Sequence, residues 1–66
     1  MKKVYNVEGM MCPHCEKRVK EAIEALASVI EAIPSHKDGT LTVTFRDEVD
    51  DKSVVDAIVA AGYEVK

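Results

Sequence analysis

The sequence contains no apolar run near the roughly 20 residues that a membrane-spanning helix requires. Its nine lysines and arginines form no basic stripe, and the formal net charge is −3, which argues against nucleic acid as the main partner. Near the N-terminus, Lys2 and Lys3 precede no apolar segment, so no signal peptide is visible. We therefore expect a cytoplasmic chain that neither inserts into a membrane nor binds nucleic acid.

Cysteine is scarce, and linkers, repeats and low-complexity segments are missing. Only Cys12 and Cys15 are present, and a bridge between them would close too short a loop to stabilise a fold. The 66 residues, of which 47% are apolar and 32% charged, are typical of one small folded domain. We expect residues 1–66 to form a single domain of marginal stability, because so short a chain buries only about 60% of the surface that its unfolded form exposes.

Hydrophobic periodicity predicts six elements of secondary structure in the order β-α-β-β-α-β. Alternating apolar and polar residues predict the strands, and apolar residues at positions i, i+3, i+4 and i+7 predict the helices. An Asp38-Gly39 turn joins the second and third strands, and Gly62 is expected to end the second helix. The predicted strands span residues 3–8, 29–36, 41–45 and 63–65, and the predicted helices span 13–27 and about 50–61.

Right-handed crossovers in both β-α-β halves predict an α+β fold, with a four-stranded antiparallel sheet and two helices on one face. The first and third strands are then central, and Pro34 falls on an edge strand, where its missing N–H is tolerated. The same topology brings three turns to one end of the sheet. These turns lie at residues 12–15, 38–39 and 62–63, so Tyr63 is expected close to the cysteines.

Cys12 and Cys15 lie at the start of the first predicted helix, whose unpaired N–H groups and partial positive charge lower the pKa of a thiol, most of all at Cys15. Such a pair can either bind one soft metal ion or cycle between dithiol and disulfide. Two thiolates suit Cu(I) or Hg(II), whereas Zn(II) prefers four protein ligands and the chain has no second cysteine pair. His36 is expected too far from Cys12 to be a ligand, and the acidic residues of the first helix are expected to form its solvated face.

The segment Gly9–Cys15, with the sequence Gly-Met-Met-Cys-Pro-His-Cys, resembles the Gly-Met-x-Cys-x-x-Cys motif of heavy-metal-associated domains. These domains occur as free copper chaperones and as N-terminal modules of metal-transporting P-type ATPases. The resemblance covers nearly the whole chain, up to Ala61–Val65. It implies a ferredoxin-like βαββαβ sandwich, Cys12 and Cys15 as metal ligands, and Met10 as a buried support under the loop.

The remaining residues of the motif bear on the choice of metal. Copper-handling bacterial members often carry Tyr at the position of Tyr63 and mercury-handling members Phe, so the resemblance favours Cu(I). Tyr63 would either pack beside the site or hydrogen-bond near a thiolate. Met11 stands where Thr is commoner, and Ala27-Ser28 replaces a Pro-Gly pair. We expect Met11 and His14 to lie in the loop without binding the metal.

The sequence therefore predicts a non-enzymatic carrier that holds one Cu(I) ion between Cys12 and Cys15. We expect it to pass the ion by ligand exchange to a related Cys-x-x-Cys domain of a transport ATPase, with Hg(II) or Zn(II) as the alternative cargo. The chain is expected to be monomeric without metal, and a metal-bridged dimer is the alternative.

A second function stays open, because Cys-Pro-His-Cys is also a motif of oxidising thioredoxin-like enzymes. Against it, the chain is shorter than a thioredoxin core. Pro34 also stands before the hairpin and not at the start of a later strand, where a cis-proline would face the thiols.

Overall fold

The computed structural model describes all residues from Met1 to Lys66 and contains six elements in the order predicted. This confirms the β-α-β-β-α-β order. Neither helix has the length and hydrophobicity that crossing a membrane requires. The strands are β1 (Lys2–Glu8), β2 (Val29–Ser35), β3 (Thr40–Phe45) and β4 (Glu64–Val65), and the helices are α1 (Pro13–Glu24) and α2 (Asp51–Ala60).

The four strands form one antiparallel sheet in the order β2-β3-β1-β4. As predicted, β1 and β3 are central, and Pro34 lies on the edge strand β2. The pairing of Asn6 with Thr40 and of Glu8 with Glu64 places the end of β1 beside the starts of both β3 and β4. The ferredoxin-like fold and the gathering of three turns at one end of the sheet are therefore confirmed.

Strand alternation decides which face of the sheet is buried. On β3, Leu41, Val43 and Phe45 are buried, while the threonines between them are only half-buried. On the opposite face, Val4 pairs with Thr42, and Val4 remains 59% exposed because no helix covers it. The 13 buried residues form one cluster of Tyr5, Val7, Met10, Val19, Ile23, Val29, Ala32, Leu41, Val43, Phe45, Val54, Ile58 and Tyr63.

Helix α1 ends at Glu24, three residues before the predicted end at Ala27. The backbone N–H of Leu26 binds the carbonyl of Ile23, three residues back, so the chain tightens into a turn instead of continuing the α-helix. Leu26 nevertheless packs against the core. Leu26 therefore keeps the apolar spacing of a helix in the sequence, and this spacing extends the predicted helix beyond the residue at which the helical backbone ends.

Helix α2 ends in a hydrogen-bonded turn that fixes Tyr63. Gly62 has φ +96, its N–H binds the carbonyl of Val59, and the N–H of Tyr63 binds the carbonyl of Ile58. This is the Schellman arrangement, in which glycine supplies the left-handed residue. The predicted helix end at Gly62 is confirmed. Strand β4 begins at Glu64 and not at Tyr63, because the Tyr63 N–H is already bound to the helix.

Side chains of α1 cover the outer edge of β2. Lys20 Nζ donates to the carbonyl oxygen of Ala32 at 2.9 Å, and Glu24 Oε2 accepts the Ala32 N–H at 3.1 Å. Lys20 also donates to Glu24 at 2.8 Å, and these bonds lower the pKa of Glu24. The expectation that the acidic residues of this helix are merely solvated is wrong here. Backbone groups that could pair with a foreign strand are bound instead, which protects the edge from aggregation.

A pair of valine substitutions tests which face of the sheet carries the stability. Val43→Ala should lower the free energy of unfolding by about 2 kcal/mol, because it removes two buried methyl groups and leaves a cavity. Val4→Ala removes the same atoms from the exposed face and should cost less than about 0.5 kcal/mol. Urea unfolding of both variants measures the difference. Equal losses would show that the outer face is also covered in solution.

Candidate metal site

The loop between β1 and α1 begins with a glycine that no other residue can replace without strain. Gly9 has φ +101, and a Cβ there would lie 3.1 Å from the Tyr63 ring. Met10 then turns inward and is 5% exposed, whereas Met11 at the tip is 82% exposed. The loop is thus held from below by Met10 and from the side by Tyr63, while its tip faces solvent.

Cys12 caps α1 and Cys15 lies in its first turn. Cys12 has an extended backbone, and its carbonyl accepts the N–H groups of Cys15 at 3.0 Å and of Glu16 at 3.2 Å. Pro13 fits the first helical position because its missing N–H would have no partner there. This geometry turns both thiols toward the same side of the loop, so the helix start itself assembles the pair.

The two sulfur atoms lie 3.6 Å apart, and both residues are half-buried and unbridged. With metal–sulfur bonds of about 2.3 Å, the length in zinc thiolates, two sulfurs can hold one ion at any separation up to about 4.6 Å. The observed distance therefore lies within the range of a two-sulfur site. No group of three or more His, Cys, Asp or Glu side chains is arranged to hold a metal ion, so the chain by itself offers no four-ligand zinc site.

Hydrogen bonding lowers the pKa of Cys15 to about 7. The largest contribution comes from the Tyr63 hydroxyl, followed by the backbone N–H of Met11 and the thiol of Cys12, and partial burial opposes them. The predicted direction is correct, and backbone N–H groups beside the helix start contribute as expected, but the Tyr63 hydroxyl contributes more. Specific donors around the sulfur, and foremost Tyr63, stabilise the thiolate.

Tyr63 is 8% exposed and belongs both to the core and to the site. Its interaction with Cys15 raises the pKa of the Tyr63 phenol, and the nearby Arg18 guanidinium opposes that rise. Arg18 was not identified from the sequence. Its spacing of three residues from Cys15 places both on one side of α1, which is the signal that could have indicated it.

The other predicted loop residues are placed as follows. His14 is exposed, and no hydrogen bond of its side chain is found in the structure. Met11 is the most exposed large apolar residue of the chain. His14 does not join Cys12 and Cys15 in a group of three side chains that could hold a metal ion. Their roles, like that of Met10, therefore stay predictions.

His36 contacts the first turn of α1 and not the cysteines. Glu16 Oε2 accepts its backbone N–H at 2.6 Å and its Nδ1 at 2.7 Å, and these bonds lower the pKa of Glu16. This pair could not be predicted from the sequence, because it connects α1 with a turn residue 20 positions away. Glu16 is thus a second acidic residue of α1 that binds another part of the chain, here the turn after β2.

Fold and site together define a small ferredoxin-like domain that presents a partly exposed dithiol at the start of a helix. A sequence model of the heavy-metal-associated domain matches residues 4–64 of the chain. The chain therefore belongs to the heavy-metal-associated domain family.

Similar proteins include the copper chaperone CopZ of Bacillus subtilis, 38% identical over 96% of this chain and 93% of CopZ. Mercuric reductase of Acidithiobacillus ferrooxidans is 37% identical over 89% of this chain, and copper-transporting ATPase 2 of Rhizobium meliloti is 39% identical over 89%. The chain spans only 11% and 7% of the lengths of those two proteins. A solved CopZ metallochaperone superposes with a TM-score of 0.94 at 33% identity, with all of both chains covered.

The contribution of Tyr63 to the thiolate can be measured in the metal-free protein. We expect the alkylation rate of Cys15 by iodoacetamide to rise through a midpoint near pH 7, because its pKa is lowered to about 7. Tyr63→Phe removes the largest stabiliser of the thiolate and should move the midpoint to higher pH. Peptide mass mapping follows Cys15 separately from Cys12.

Tyr5→Phe is the matched control for that substitution. The Tyr5 hydroxyl donates to Asp51 at 2.6 Å, at the start of α2, and makes no contact with the thiols. Its removal should leave the midpoint unchanged. An equal midpoint in wild type and Tyr63→Phe would show that Tyr63 only packs against the loop.

Proposed function

We propose that this protein is a carrier of one soft metal ion, Cu(I), held by the thiolates of Cys12 and Cys15. The observation that carries the proposal is the pair of partly exposed sulfurs 3.6 Å apart, one of which has a pKa of about 7. At neutral pH a thiol with that pKa is about half ionised, and the thiolate is the form that binds metal. Residues 1–66 would act as one metal-binding unit in a reducing compartment such as the cytoplasm, where thiols stay reduced.

Transfer would proceed by exchange of sulfur ligands. A partner thiol loses its proton and its sulfur joins Cys12 and Cys15 around the ion, after which one of the two original sulfurs leaves and takes up a proton. The half-buried sulfurs and the exposed loop tip at Met11 make this approach sterically open. Neither the copper nor the sulfurs change oxidation state, so no catalytic group is required.

The choice of Cu(I) rests on ligand number and on the similarity to CopZ. Two soft thiolates without further ligands suit Cu(I), whereas Zn(II) favours a closed set of four. The similarity to CopZ over nearly its whole length supports copper. Hg(II) is the second candidate, because a mercuric reductase segment is similar to this chain and Hg(II) shares the preference for sulfur.

The partner we propose is a related Cys-x-x-Cys domain of a metal-transporting P-type ATPase. The segment of copper-transporting ATPase 2 that is similar to this chain supports the idea of two like domains exchanging an ion. The chain itself would be monomeric without metal. Two chains sharing one ion through their sulfurs are the alternative assembly.

Substitution of either cysteine tests the site. Cys12→Ser and Cys15→Ser should each lose most of the Cu(I) affinity, because one thiolate cannot chelate the ion, while the melting temperature stays near that of wild type. Anaerobic competition against chelators of known affinity measures Cu(I) and Zn(II) binding. His14→Ala and Met11→Ala, in the same loop, serve as controls and should bind Cu(I) as wild type does. Full-affinity binding by Cys12→Ser would refute the assignment.

A turnover assay separates the carrier from a thiol-disulfide oxidoreductase. We expect at most stoichiometric oxidation of Cys12 and Cys15, because the ferredoxin-like fold has the element order of the carrier family and provides no thioredoxin-like scaffold around the pair. Insulin reduction with an excess of dithiol reports turnover directly. Many cycles per chain would favour the enzyme.

A further inference from the structure

The first turn of α1 is tied to the β2–β3 connection by a single carboxylate. Glu16 Oε2 binds both the backbone N–H and Nδ1 of His36, at 2.6 and 2.7 Å. Both side chains are about one-quarter exposed, at 26% for Glu16 and 25% for His36. Since Glu16 directly follows Cys15, this contact fixes the backbone on which one of the two sulfurs is carried.

The loop between β1 and α1, which carries Cys12, has few other bonds to the sheet. No backbone hydrogen bond joins residues 9–14 to the sheet, and the only backbone bonds of the loop are those that Cys12 accepts from Cys15 and Glu16. Packing of Met10 and Tyr63 holds the loop from inside. The hydrogen bonds of Glu16 are therefore the polar connection between the helix start and the neighbouring hairpin.

The contact persists whichever charge His36 carries. A neutral imidazole with its proton on Nδ1 donates to the carboxylate, and an imidazolium does the same. The backbone N–H of His36 donates in either case. The connection is thus a geometric one that does not depend on protonation of the histidine.

We propose that Glu16 is a positioning residue for metal transfer, which holds the first turn of α1 in place so that the sulfur of Cys15 stays close to that of Cys12. The proposal rests on the proposed function. When an incoming sulfur displaces one of the pair, the two original sulfurs must separate. A firmly held turn opposes that separation, so Glu16 slows release of the ion to anything but a well-docked partner.

Glu24 provides a matched comparison within the same helix. It also accepts a backbone N–H of the β2 edge, that of Ala32 at 3.1 Å, and lies two helical turns beyond Glu16. Its contact is chemically similar but far from the sulfurs in sequence. Loss of Glu24 should therefore loosen the helix against the edge strand without freeing the turn that carries Cys15.

The test compares Glu16→Ala, Glu16→Gln and Glu24→Ala with wild type by two measurements. In the metal-free protein, amide exchange of Cys15 and Glu16, corrected for global stability, reports opening of the first turn. In the loaded protein, the rate of Cu(I) transfer to a competing dithiol reports release. Glu16→Ala should raise both by about two- to tenfold, the range expected for loss of one or two partly exposed hydrogen bonds.

The other variants test whether residue 16 acts through its acceptor oxygen or through its negative charge. Glu16→Gln keeps an acceptor oxygen without the charge and should stay near wild type in both measurements, and so should Glu24→Ala. Release from Glu16→Ala at the wild-type rate would overturn the proposal, and so would equal behaviour of Glu16→Ala and Glu16→Gln. Wild-type protein that binds no Cu(I) would refute the proposed function instead, and amide exchange would still decide whether Glu16 anchors the turn.

Discussion

The pairing of β1 with strands on both sides is the constraint on which the site depends. Glu8, the last residue of β1, pairs with Glu64, and Asn6 pairs with Thr40. Antiparallel pairing on both edges necessarily brings the loop after β1 beside the turns that precede β3 and β4. Tyr63 is placed beside the thiols in this way, across more than 45 residues of sequence. Its ring would then lie 3.1 Å from a Cβ at position 9, where the backbone also has a positive φ.

The pair of Cys12 and Cys15 combines a thiol of lowered pKa with sulfur atoms that a second dithiol can reach. Donors from two parts of the chain lower the pKa of Cys15, and the largest contributor, Tyr63, is held by the hydrogen-bonded end of α2. The sulfurs stay half-buried, so a second dithiol can approach them. A site with two ligands and an open side is suited to passing an ion on, whereas a closed four-ligand site would retain it. This is the physical reason why the same arrangement suits a carrier and not a structural metal centre.

Charged residues of α1 serve the edge of the sheet. Glu16 and Glu24 bind backbone N–H groups of His36 and Ala32, and Lys20 binds the Ala32 carbonyl. The pKa values of both carboxyl groups are lowered by these bonds. A lowered carboxyl pKa contributes stability that is present above the unfolded-state pKa and is lost as the pH falls through the folded-state pKa. Acid should therefore loosen the contact between helix and edge strand, including the end that lies next to Cys15.

The sequence by itself determined the order of the elements, the buried face of the two central strands and the thiol pair at a helix start. Those features depend on local patterns, such as the alternation of Leu41, Val43 and Phe45 or the spacing of Cys12 and Cys15, and a local pattern is visible in one chain. Only the tertiary structure decided that α1 stops at Glu24, that Tyr63 chiefly controls the pKa of Cys15, and that Glu16 holds His36. The last two depend on which residues of distant segments meet, and no periodicity within one segment carries that information. The first depends on the turn bond from Leu26 to Ile23, which the apolar spacing of Leu26 does not reveal.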